Sequence, residues 1–205
     1  MATFEESFRF AEEEALRFLV TEHGFSVAEH KVVEGASQHD VYGSVVYQSS
    51  VPSSARKRKV SLSIYPLRLD LDLFVSNETA GDYSVEELHK LQRLGAFPRR
   101  EHGLYEVIHK PHELLAEFKR LAAALRASGD RFFSNDESLW PELQAQRESA
   151  AQAEEDKRTL ALSEQSFRAR DWSRVVVLLR PLSARLSKAA RARLAYAQKK
   201  AAGGG

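Results

Sequence analysis

Two runs between Lys57 and Val75 alternate apolar and polar residues, and only Pro66 and Leu67 separate them. Val60, Leu62 and Ile64 share one side of the first run, and Leu69, Leu71, Leu73 and Val75 share one side of the second, the period-two signature of half-buried strands. So short a connection forces the pair to be antiparallel, because a parallel crossover needs a dozen residues or more. Two further runs rich in β-branched and aromatic residues precede them, Phe25 to Val33 and Asp40 to Gln48. Four strands in an antiparallel meander are therefore predicted, with one face buried and one more polar.

Helices on both sides of the strands supply the cover. Thr3 and Glu6 have capping-box spacing, Phe4, Phe8, Ala11, Ala15 and Leu19 recur on one helical face, and Gly24 follows as the stop. Ser84 and Glu87 repeat the spacing ahead of Val85, Leu88, Leu91 and Leu94, with Gly95 closing that shorter helix. After a loop through Phe97 to Tyr105, Pro111 suits a first turn, and Leu114, Leu115, Phe118, Leu121, Ala122 and Leu125 form an apolar stripe up to Gly129. The fold class is α+β over residues 1–135. A polar, helix-favouring stretch over 136–158 reads as an exposed connecting helix, with Pro141 at its start. An all-α tail occupies 159–205, where Ser187 caps a last helix carrying Ala190, Leu194 and Ala197, and Ala201 to Gly205 is a frayed end or an appended remnant.

Within that tail Ser163, Phe167, Asp171, Trp172, Val175 and Leu179 surround a short polar turn between two helices. Residues 159–182 resemble a single tetratricopeptide repeat: Ser163 stands at the small interhelix position, Phe167 at the buried aromatic, and Asp171 and Trp172 at the turn. The resemblance implies protein binding. Val175 stands where alanine is usual and Arg170 where the turn glycine is usual, and 187–201 suffices for only one further helix. Since about three repeats are needed for a self-supporting solenoid, the module is expected to lean on the α+β domain or on a partner. The segments FLVTEHGF (Phe18 to Phe25) and VSLSIYPLRLDLDLFV (Val60 to Val75) resemble small bacterial proteins, some of which look like immunity proteins for polymorphic toxins. That resemblance implies toxin neutralisation by stoichiometric association, without catalysis.

The 205 residues contain no cysteine, which excludes disulfides, thiolate metal sites and a cysteine nucleophile, and fits the cytoplasm. The acidic N-terminus is unlike a secretory signal, and no apolar run reaches the roughly 20 residues of a membrane span, so no membrane association is expected. The net charge of +1 conceals a strong polarity. Residues 1–30 carry seven acids against two bases, a net of −5, and residues 163–205 carry ten bases against two acids, a net of +8. Such ends can recruit partners of opposite charge or serve as solvated helix faces.

Several constellations are candidates for function. Asp70 and Asp72 project from one face of a strand, as a solvated face, an interface, or a carboxylate pair for hydrolysis would require. With Glu12 and Glu13 on the first helix and Arg168, Arg174 and Arg193 in the tail, they form the candidate surface for a protein partner. Arg56, Lys57, Arg58 and Lys59 form a basic run at a hairpin, the alternative being nucleic-acid contact aided by the basic tail. Basic residues also guard exposed strand edges, and no aromatic stacking pattern accompanies these. His109, His112 and Glu113 are the nearest approach to a metal-ligand cluster, with Pro111 between the histidines, and they read as a surface helix start. No nucleophile elbow and no phosphate loop is present, so no catalytic residue, metal or cofactor is expected.

Overall fold

The computed structural model describes residues 3–33, 42–49, 57–65, 70–100 and 110–203. They fall into two units, Met1–Gln144 and Ala145–Gly205.

The first unit opens with α1 (Phe4–Thr21), started as its sequence dictates. The Thr3 hydroxyl accepts from the Glu6 backbone N–H at 3.1 Å, while the Glu6 carboxylate accepts from the Thr3 N–H at 2.9 Å. Two N–H donors at the helix start are thereby satisfied reciprocally. Gly24, at φ +66°, turns the chain into the sheet in a conformation that costs glycine little. The strands are β1 (Phe25–Val33), β2 (Tyr42–Ser49), β3 (Arg58–Tyr65), β4 (Asp70–Asn77) and β5 (Tyr83–Ser84). They lie in the order β1-β2-β3-β4-β5, every neighbouring pair antiparallel. The fold is α+β, as expected, with one strand more than the four anticipated. That strand has only two residues, and its Ser84 is also the N-cap of α2 (Val85–Leu91), so its helical role conceals its strand role in sequence.

Register explains the buried face. Val60 pairs with Val75, Leu62 with Leu73 and Ile64 with Leu71, and all six are buried. Cross-strand apolar pairs of this kind are the stabilising unit of a sheet. Tyr65 pairs with Asp70 at the end of that ladder, so the antiparallel pair forms as expected but four residues separate its strands rather than two; Pro66, Leu67, Arg68 and Leu69 lie outside the described residues. Helices α1 and α3 (Pro111–Ser128) share this core, with Phe8 meeting Phe118 edge to face at 5.5 Å. Gly43 on β2 admits α1 this closely, for a Cβ there would stand 2.6 Å from the Phe8 ring. The short helix α4 (Asp130–Phe133) and the start of α5 (Leu139–Arg168) complete the unit, contributing Phe132, Leu139, Trp140 and Leu143 to its core.

Among the described residues, strand β1 forms one margin of the sheet and pairs only with β2. Its ladder shifts between Val27 and Glu29, and beyond the buried Phe25 most of its side chains are exposed. The bulge and the charges of Glu29 and Lys31 are the usual devices that blunt a free edge.

In the second unit, the expected connecting segment and the first hairpin helix are a single 30-residue element, α5. Asp171 caps α6 (Trp172–Leu179) by accepting from the Arg174 N–H at 3.0 Å, and Ser187 caps α7 (Lys188–Ala202) through the Ala190 N–H at 3.2 Å. Val175, Leu179, Leu182, Leu186, Ala190, Leu194 and Ala197 form this unit's own core. Trp172 is half-buried between Phe167 and Tyr196, at 5.2 and 5.5 Å.

Candidate functional site

One polar residue of α1 stands where the helical period demands an apolar one. Glu12 lies four residues after Phe8 and three before Ala15, inside the stripe that packs on the sheet, and is only 3% exposed. The Tyr47 hydroxyl on β2 donates to Glu12 Oε1. On β1, His30 Nε2 stands 4.0 Å from Glu12 Oε2, too far for a hydrogen bond. The Phe8 ring closes over the imidazole edge to face at 5.7 Å. Three elements thus bring a carboxyl, a phenol and an imidazole together.

Burial governs the electrostatics here. Desolvation, reinforced by neighbouring Glu13 and opposed by Arg9, pushes the Glu12 carboxyl up to about 7. Burial, then the positive charge of Arg9, holds the His30 imidazole below its ordinary value, so it is neutral at neutral pH. His30 Nε2 is buried with no hydrogen-bond partner. The cluster borders a recess of about 500 Å³ whose lining includes Arg9, Glu13, Arg17, Val20 and Val27. Val20 and Val27 are 47% and 52% exposed, large apolar side chains left in solvent. A carboxyl that ionises near neutrality, in a recess with an apolar lip, can hold or release a proton and can take up a cation.

The other residues singled out in sequence are dispersed. Glu13 is exposed at the same recess. Asp72 is half-buried and lines a second cavity, of about 540 Å³, with Arg99, Arg100 and Arg120. Asp70 shares its strand parity, but its side chain lies outside the described residues. Arg168 is ion-paired with Glu164 at 2.6 Å, and the guanidinium of Arg193 lies over the Phe167 ring at 5.7 Å. Arg174 is exposed in the first turn of α6. Glu113 pairs with Lys110 at 3.0 Å and His112 stands edge-on to Phe10 at 6.4 Å, while His109 lies outside the described residues. No group of three potential metal ligands occurs among the described residues.

The basic run needs a correction. Arg58 does not project toward solvent: it is buried and donates to the carbonyls of Phe132 and Phe133 at 2.6 and 2.5 Å, its guanidinium beside the rings of Phe25 and Phe132. Both bonds come from the one nitrogen Nη1: the Phe132 carbonyl also accepts from the Asn135 N–H at 3.2 Å, and Phe133 at the end of α4 presents a carbonyl that the helix leaves free. Lys57 is exposed and Lys59 half-buried; Arg56 lies outside the described residues.

His30 and Tyr47 carried no sequence signal of their own. The one available clue was Glu12 itself, a carboxyl in an otherwise apolar stripe. No family model matches the chain, and neither a curated protein nor a solved structure matches it.

Proposed function

We propose that this chain is a non-enzymatic protein-binding protein whose α1–β1 face meets a basic partner; in its most concrete form it is a cytoplasmic bacterial immunity protein that neutralises a toxin by stoichiometric association. The observation that carries this reading is the recess beside Glu12, where exposed Val20 and Val27 adjoin Glu13 and Glu14 on the acidic first helix. Arg9 and Arg17 line the same recess, and exposed apolar area bordered by charged side chains is the composition of an interface that gains affinity from burial and specificity from charge. The tetratricopeptide-like order of the tail supports a binding role as well.

Affinity capture with the full chain from its native host, followed by light scattering on the eluted complex, tests the reading. A one-to-one protein complex is expected, at least tenfold weaker for the combined variant Glu13→Lys, Glu14→Lys, Val27→Asp at unchanged melting temperature. Recovery of no stoichiometric protein partner overturns it. The nucleic-acid alternative is favoured by the net charge of the tail and weakened by the sequestration of Arg58. It requires an affinity that falls steeply with salt, by one counterion for roughly each phosphate contact.

A further inference from the structure

We infer that the recess between α1, β1 and β2 receives a basic side chain of the partner, its ammonium or guanidinium seated between Glu12 and His30. The inference rests on the protein-binding reading above and names the chemistry of the residue that anchors it.

Glu12 Oε2 and His30 Nε2 are 4.0 Å apart, and Nε2 has no hydrogen-bond partner. With the imidazole proton on Nδ1 and Glu12 ionised, Nε2 and Oε2 are both acceptors, and among the described residues no donor stands between them. A single nitrogen at about 2.8 Å from each, the ordinary length of a charge-assisted bond, spans such a gap at close to a right angle. Tyr47 already satisfies the other carboxyl oxygen, which leaves Oε2 as the point of attachment.

The charges around the recess are mixed, three carboxylates against two guanidiniums. Arg9, Glu13, Glu14 and Arg17 come from α1, His30 from β1 and Tyr47 from β2. Arg9 is engaged with Glu5 at 2.9 Å, and among the described residues no lysine or arginine lies within 4.0 Å of the Glu12 carboxyl. A buried carboxylate left without a cation is costly, and the same group becomes favourable once a cation is delivered. Val20 and Val27 offer the aliphatic stem of such a side chain an apolar lip, the arrangement in which lysine and arginine bury their methylenes. Because Glu12 titrates at about 7, roughly a tenth of it is ionised at pH 6 and nine-tenths at pH 8, so cation affinity rises about tenfold between them.

The test titrates the full chain with n-butylammonium and n-butylguanidinium, with n-butanol as the neutral control, while NMR follows the His30 imidazole and the Tyr47 ring. Saturable shifts at both residues are expected with the cations at pH 8, about tenfold weaker at pH 6, at least tenfold weaker in Glu12→Gln, and absent with butanol. Glu12→Gln keeps an acceptor for Tyr47 and introduces no buried charge, so it tests the site without threatening the fold. No shift at His30 and Tyr47, or equal affinity in Glu12→Gln, overturns the inference. If Glu12→Gln captures the partner undiminished while the Glu13, Glu14 and Val27 variant does not, the binding face stands and the anchor falls. A chain that takes up the probes but captures no protein overturns the binding function and leaves the cation chemistry of the recess in place.

Discussion

Glu12 ties a single side chain to the pH dependence of the whole first unit. Its carboxyl titrates at about 7 in the folded protein against an ordinary 4.5, so between those values the folded state holds more protons than the unfolded one. Stability contributed by this group is therefore complete below pH 4.5 and is lost as pH rises through 7. The shift corresponds to about 3 kcal/mol once Glu12 is fully ionised. Glu12→Gln should flatten the slope between pH 4.5 and 8 and raise stability at pH 8 by about 1–3 kcal/mol in urea titrations; an unchanged slope would assign the pH dependence to other groups. Arg58 acts at the same scale in the opposite sense. Arg58→Ala removes the Nη1 donor shared by the Phe132 and Phe133 carbonyls and is expected to cost about 1–3 kcal/mol by chemical denaturation, since the Phe133 carbonyl loses its side-chain donor while Phe132 keeps the Asn135 N–H. Its lysine variant should recover part of this, because both bonds come from one nitrogen and an ammonium also carries several donors.

At the scale of elements, the turn between α5 and α6 stores local strain. Arg170 sits there at φ +61°, the left-handed region that favours glycine, at the position where the resemblance to a tetratricopeptide repeat would place a glycine. Arg170→Gly should raise the melting free energy by up to about 1 kcal/mol, the relieved strain being offset in part by the greater freedom of glycine in the unfolded chain. A loss of stability measured by thermal unfolding would show that the arginine side chain contributes more than its backbone costs. The helix starts at Thr3, Ser84 and Ser187 were legible because each is a local exchange of hydrogen bonds within four residues. The extent of α5 was not. Helix propensity runs without a break from Glu142 to Arg168, and what separates the first turns of the helix from the rest is burial of Leu139, Trp140 and Leu143 against distant residues.

At the scale of the whole molecule, two apolar clusters share no residue. Among the described residues no helix is long and apolar enough to cross a membrane. The larger cluster joins both α1 and α3 to the sheet, and the smaller rests on seven buried residues of the second unit. A fragment covering 1–144 should melt cooperatively near the temperature of the full chain, whereas 145–205 alone should be only marginally stable, as expected for a unit below roughly 70 residues without a disulfide or metal. Circular dichroism of the two fragments decides it, and loss of cooperativity in 1–144 would show that the first core depends on residues of the second unit.

The chain's own residue order determined the α+β class, the antiparallel meander and the capped helices, because hydrophobic period and capping are properties of neighbours in sequence. Tertiary structure alone decided that Glu12, His30 and Tyr47 meet and that Arg58 turns inward. Glu12 and Tyr47 are 35 positions apart, and Arg58 reaches a carbonyl 74 positions away. No periodicity encodes such distances; they arise from the register of β1 on β2 and from the way α1 and α4 pack against the sheet.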